Sequence, residues 1–240
     1  MIRRLWIPEA SFCTEMRKFC MEWNGKVINF LGDSITQGVG ASCKETNYVN
    51  QTKALLHLAA ANNYGISGTR IAPRMVPTEN ASFEQPFATR VDAMDPNADG
   101  VIVFGGTNDF GHGDAPLGTI NDSTEETFYG ALKVLFEKLI VKYPGKPIVV
   151  MTPLHRCSED NVLGDGKNKM PLGHPLADFV IAVREVAALY SLPVLDLWSV
   201  SGMQPKIPVI KEKFMPDGLH PNDAGHRLIA ERLASFLNAY

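Results

Sequence analysis

The sequence predicts an α/β fold, a three-layer α/β/α sandwich with a mostly parallel sheet, and three observations carry that expectation. Continuous apolar runs rich in strand formers recur along the chain, stretches with helical spacing separate them, and glycine-bearing loops follow the first three runs. Strands buried on both faces read as unbroken apolar runs, whereas half-solvated antiparallel strands alternate. Sustained alternation of such strands with helices argues for a parallel sheet covered on both sides.

Residues 1–24 show no clean periodicity and read as an N-terminal extension or a short surface helix, ahead of a single domain at 25–240. From Val27 the run VINFLG forms the first strand and ends in GDSITQG. A helix is expected from Glu45 to Leu56, after which LHLAAANN reads as a weaker second strand leading to YGISGTR. A Pro-rich connection and a short helix at Phe87 to Met94 precede GVIVFGG, the strongest strand signal, which delivers GGTNDFGHG. From Ser123 to Lys142 the residues Phe128, Leu132, Leu135, Phe136, Leu139 and Ile140 make one helical face, stopped by Pro144 and Gly145. PIVVMTP is the fourth strand, followed by a glycine-rich loop at Leu163 to Gly173, a helix at Leu176 to Tyr190 and PVLDLW as the fifth strand. A last helix follows DGLHP.

Composition narrows the function. A chain of 240 residues with 45% apolar and 20% charged residues fits one globular core. Its net charge of -3 supplies no attraction for phosphate backbones or anionic lipid surfaces, so neither nucleic acid nor membrane is an expected partner. No apolar run approaches the roughly 18 to 20 residues of a membrane span. Arg3 and Arg4 suggest a signal peptide, but Pro8, Glu9, Glu15, Arg17 and Lys18 break any apolar segment after them. Cys13, Cys20, Cys43 and Cys157 lack metal-ligand spacing and read as free thiols, which points to a cytoplasmic protein. No ligand motif such as His-Glu-x-x-His occurs, so neither metal nor cofactor is expected. Nothing in the sequence sets an oligomeric state.

In a parallel sheet, ligands bind outside the carboxyl ends of the strands, where the three glycine-bearing loops should converge. Ser34 stands on a tight turn between a strand and a helix, which can present its hydroxyl beside helix-terminal amides. Taken alone, Gly-Asp-Ser reads equally as a turn and N-cap. Asp217 and His220, three residues apart, can touch: a carboxylate on Nδ1 would leave Nε2 to take a proton from Ser34. That pair alone reads also as a helix-entry turn with a solvated histidine. Acyl transfer further needs donors for the developing oxyanion. Gly68 offers a backbone N–H and Asn108 a side-chain amide, though both are also ordinary turn formers.

These segments resemble, in order, the blocks of the SGNH hydrolase superfamily, also called the GDSL esterase/lipase family. FLGDSITQG resembles the first block with Ser34 as nucleophile, NYGISGTR the second with Gly68, GGTND the third with Asn108, and DGLHP the last with Asp217 and His220. The resemblance runs from about Val27 to the final helix. It implies a flavodoxin-like sandwich, a Ser-His-Asp triad and an oxyanion hole made by Ser34, Gly68 and Asn108. The implied substrate is a small-molecule carboxylic ester. Short acyl groups on a carbohydrate or other polar alcohol are favoured, since no long apolar lid suggests a lipid interface. Acyl transfer or thioester cleavage by the same site is the alternative, and a non-catalytic carbohydrate-binding protein is the alternative of another class.

Further candidates flank these blocks. Asp33 is expected first to accept backbone amides and hold its turn, and second to contribute to substrate binding. Asp109 and His112, beside Asn108, are read as cleft-lining, and His155 and Arg156, after the fourth strand, as groups for a polar or anionic substrate. His226 is expected on a helix surface, and His57 and His174 lack partners in sequence.

Overall fold

The computed structural model describes residues 22–77, 79, 81–164 and 173–239. Among the described residues five strands form one parallel sheet: β1 (Val27–Gly32), β2 (Ala60–Gly65), β3 (Gly100–Phe104), β4 (Ile148–Met151) and β5 (Val194–Leu195). Their order, β2-β1-β3-β4-β5, is that of a flavodoxin-like sheet, in which the strand order reverses between β1 and β3. Gly32 at the end of β1 pairs with Gly65 on one side and with Phe104 on the other. The three strands therefore end level, and the loops that follow them start side by side.

The helices are α1 (Ser34–Gln37), α2 (Tyr48–Leu56), α3 (Phe87–Arg90), α4 (Thr107–His112), α5 (Phe128–Lys142), α6 (Leu176–Leu189), α7 (Leu197–Val200), α8 (Pro208–Phe214) and α9 (Asp223–Ala239). The pleat sends alternate strand residues into two separate cores. Leu31, Val101, Val103, Ile148 and Val150 pack with α5 and α6, including Leu132, Phe136, Phe179 and Val183. Ile28, Phe30, Ile102, Phe104, Val149 and Met151 pack with α2 and α9, including Val49, Ile229 and Leu233. Fully burying one such side chain contributes about 1.5 to 3 kcal/mol, so the two layers hold the sheet and leave its carboxyl edge to the loops.

Element boundaries depart from the sequence reading where side chains compete with the backbone. The helix expected from Glu45 breaks at Asn47, whose side chain accepts the Asn50 N–H at 2.8 Å and caps α2; a single 3₁₀ turn, Lys44–Thr46, precedes it. Leu56 and His57 belong to the end of α2, and His57 takes a left-handed conformation (φ 53°), so β2 begins only at Ala60. Its weak apolar signal reflects an edge strand of partly exposed residues. The helix expected at Phe87 to Met94 is α3 followed by a 3₁₀ turn, and the helix expected from Ser123 starts at Phe128, capped by Thr127. The segment read as the loop GGTNDFGHG contains α4, and PVLDLW yields only a two-residue strand before α7.

Most of the extension and of the loop at Leu163 to Gly173 lie outside the described residues, as do Cys13 and Cys20. Trp23 is described and buried, and its indole donates to the Leu237 carbonyl at 2.9 Å. Cys43 and Cys157 are free and exposed. No described helix is long and apolar enough to cross a membrane.

Candidate active site

β1 delivers the chain to Asp33, whose carboxylate accepts the Ile35 N–H at 3.0 Å and caps α1. This cap turns Ser34 into the first helical position, where its backbone N–H has no intrahelical acceptor. The Ser34 Oγ lies 3.0 Å from the His220 Nε2. The His220 Nδ1 is 2.7 Å from Asp217 Oδ2, while Asp217 Oδ1 accepts the backbone N–H groups of Leu219 and His220 at 2.8 and 2.7 Å. The carboxylate is thus folded back over its own turn, which explains why a three-residue spacing suffices. With Nδ1–H donated to Asp217, Nε2 keeps a lone pair toward the serine hydroxyl. Partial burial would raise the Asp217 pKa, but the hydrogen bonds from His220 and Leu219 outweigh it and hold the carboxyl below the usual range.

The serine and histidine come from opposite ends of the chain, and three contacts join them. Gly40 has φ +92°, and a Cβ there would stand 2.1 Å from the Pro221 carbonyl, so only glycine allows this approach beside His220. Asp223, the first residue of α9, accepts from the Ser42 N–H and hydroxyl at 2.7 and 2.6 Å and from the Thr46 hydroxyl at 2.7 Å. His226, expected on the surface, is fully buried instead: its Nδ1 accepts the Tyr48 N–H at 3.3 Å and its Nε2 donates to the Val39 carbonyl at 3.2 Å. Tyr48 stacks on it and shares a hydrogen bond with Thr36 in α1. His226 is therefore a strut between α9 and the serine turn.

That strut carries a pH dependence. Burial holds the His226 imidazole below the ordinary histidine range, outweighing the Val39 carbonyl and Asp223, which favour the cation. A folded pKa below the unfolded one gives stability that is present above the unfolded value and is lost as pH falls through the folded one. The His226→Gln variant keeps an amide N–H for Val39 but cannot titrate. Its Tm should fall less than that of the wild type between about pH 7 and pH 5, and parallel curves would contradict the assignment.

The remaining donors come from the loops after β2 and β3. Gly68 has φ +76° and faces the Phe83 ring, so closely that a Cβ would overlap it. Asn108 is buried on α4 and its Nδ2 donates one hydrogen to the Thr69 carbonyl at 2.9 Å, leaving the second of its two amide hydrogens for another acceptor. Asp109, read as cleft-lining, is turned inward: it is 3% exposed and accepts the N–H groups of Ile71 and Ala72 at 3.1 and 2.8 Å. Burial raises its pKa to about 6 against those amides and Arg70. Asp33 is likewise 1% exposed, and burial raises its pKa to about 7 against the Ile35 N–H and Arg90. Neither carboxylate reaches the surface where a substrate would bind; both fasten loops.

Arg156 is buried, with its guanidinium donating to the Thr107 carbonyl and hydroxyl at 3.2 and 3.3 Å and packed over Phe110. It braces α4 from beneath and does not present its charge to the cleft. His155 and His112 remain partly exposed. His155 pairs with Glu159 at 2.7 Å and lies tilted against Trp198, and His112 stacks on Phe83 beside Arg70. His174 finds Asp178 at 2.8 Å, a partner one helical turn away. Sequence reasoning missed Thr69, Phe83 and Arg90. Thr69 and Phe83 carry no chemical signal of their own, and Arg90 sits in a segment that reads only as a short helix.

Sheet order, level strand ends and the groups gathered after β1, β2 and β3 define the class: this is an ester-hydrolysing enzyme on a flavodoxin-like scaffold. The sequence model of the GDSL-like Lipase/Acylhydrolase family matches residues 30–228, and the chain belongs to that family. A solved protein from Lactobacillus plantarum shares 34% identity at a TM-score of 0.77, covering 90% of this chain and 98% of that one. A possible lipase from Chitinophaga pinensis has the same fold at 20% identity and TM-score 0.62, covering 89% and 98%. A two-domain esterase active on acetylated mannans shares the fold at 22% identity and TM-score 0.58; the match covers 96% of this chain and 52% of that one. No curated protein matches the chain.

Proposed function

We propose that the enzyme hydrolyses short-chain carboxylic esters of carbohydrates or other small polar alcohols, with Ser34 as nucleophile, His220 as base and then acid, and Asp217 as its orienting carboxylate. The observation that carries this reading is the continuous hydrogen-bonded series from Ser34 Oγ through His220 to Asp217. His220 takes the serine proton as Oγ attacks the carbonyl carbon, and Asp217 stabilises the imidazolium. The N–H groups of Ser34 and Gly68 and the second amide hydrogen of Asn108 receive the oxyanion. His220 returns the proton to the leaving alcohol, then activates the water that releases the acid from the acyl-enzyme. The activity on acetylated mannans of one structural relative supports a polar alcohol.

The test of substrate class is a panel of acetylated sugars and long-chain esters, with the sugars expected to be turned over faster. A preference for long acyl chains would reject it. For the oxyanion assignment, Asn108→Ala should lower kcat by roughly 100 to 1,000-fold, the usual loss for one donor. A loss under about tenfold would take Asn108 out of the hole.

A further inference from the structure

We infer that the stacked rings of Phe83 and His112 form the acyl-side wall of the site and limit the enzyme to short acyl groups. This rests on the proposed roles of Ser34, Gly68 and Asn108. Asn108 and His112 are four residues apart on α4 and so lie on one face of the helix, separated by about one turn. Asn108 on that face meets the Thr69 carbonyl, and His112 meets Arg70 in the same loop, with Arg70 Nη1 and His112 Nδ1 3.4 Å apart. Phe83 stacks on the imidazole with centroids 5.3 Å apart and planes 24° from parallel. The same phenyl ring covers Gly68 closely enough to exclude a Cβ. One aromatic pair therefore borders two of the three oxyanion donors.

The geometry of the tetrahedral intermediate decides what meets this wall. Its carbon bears Ser34 Oγ, the oxyanion, the leaving oxygen and the acyl carbon. The leaving oxygen must point to His220 Nε2 to be protonated, and the oxyanion must point to the donors. The acyl carbon takes the remaining direction, away from His220 and beside the oxyanion, so a chain that extends from it past the Gly68 loop meets the ring that covers Gly68 and its stacked partner. The wall is also fixed from behind. Arg70, 2% exposed, donates to the Phe83 carbonyl at 2.7 Å and contacts the Gly68 carbonyl at 3.5 Å. Asp109 clamps the N–H groups of Ile71 and Ala72, so the loop that carries Gly68 is tied to the helix that carries His112. A longer acyl chain would have to displace rings held on both sides.

The experiment is kcat/KM for a series of p-nitrophenyl esters from acetate to octanoate, with the wild type, Phe83→Ala and Phe83→Leu. The readout is the ratio of hexanoate to acetate, which cancels any general loss of active protein. Removing the ring should raise that ratio about tenfold or more in Phe83→Ala, because each methylene accommodated in an apolar site is worth roughly tenfold or more in discrimination. Phe83→Leu keeps apolar bulk for folding and should raise the ratio by a smaller factor, so the reading survives a failure of Phe83→Ala to fold. An unchanged or lowered ratio in an active variant overturns the wall and leaves the proposed function standing. A wild type inactive on the whole series overturns both.

Discussion

Replacing Ser34 by alanine is expected to lower kcat on a short-chain ester by on the order of 10^4 to 10^6-fold, the range found when a nucleophile that acts in concert with its base is removed. The hydroxyl makes one side-chain hydrogen bond, to a partly exposed His220, and its turn is held by the Asp33 cap, so nothing structural depends on Oγ. Tm should therefore stay within about 2 to 4 °C of the wild type, since a single part-buried hydrogen bond contributes only about 1 kcal/mol. The measurement pairs initial rates on the acetate ester with a thermal melt of the same preparation. Retention of more than about 1% of the activity in a folded variant would mean that another residue is the nucleophile. Loss of both activity and Tm would indicate a structural role instead.

How much of this was legible beforehand follows from which forces act locally. β1 and β3 could be read because a strand buried on both faces needs a continuous apolar run, and VINFLG and GVIVF supply it. The start of β2 reads four residues too early because an edge strand of Ala and Asn carries no such signal, and the left-handed His57 that ends α2 is a tertiary choice. The helix α4 reads as loop because Gly-rich sequence around it masks a turn held by distant partners, Ala72 on Asp109 and Arg156 on Thr107.

The candidate site shows the same division. Ser34, Gly68, Asn108, Asp217 and His220 fall in motifs because their spacing along the chain is fixed by local turns, and the structure brings Ser34, His220 and Asp217 within hydrogen-bond distance. Asp109, Arg156 and His226 carry chemistry-bearing side chains too, and there sequence reasoning could not tell inward from outward. Burial depends on which layers pack over a residue, and that is a property of the whole fold. The supports that join the loops, Arg90 above all, are invisible for the same reason: each partner lies on a different strand end.

Arg90 gives the second large effect, on stability. It is 8% exposed, lies at the end of α3 and donates to the Tyr64 carbonyl at the end of β2, to the Gly32 carbonyl at the end of β1 at 3.1 Å, and to the Thr69 hydroxyl at 3.0 Å. One guanidinium thus ties the serine turn to the loop that carries Gly68 and orients Asn108. Burial lowers its pKa to about 10, with Asp33 opposing, and it is the cation that favours ionised Asp33. The Arg90→Met variant keeps the apolar stem against Phe87 but strands two carbonyls and a carboxylate. Each buried carbonyl left without its donor costs about 1 to 3 kcal/mol, so the expected total is about 3 to 5 kcal/mol. Without Arg90 the already raised Asp33 pKa rises further. A raised folded pKa gives stability that is lost as pH climbs through it, so the deficit should be larger above pH 7 than below it. Urea unfolding of both proteins at about pH 6 and pH 8.5 measures this: a deficit under about 1 kcal/mol would show that Arg90 does not carry the junction, and a large one equal at the two pH values would show that Asp33 does not titrate against it.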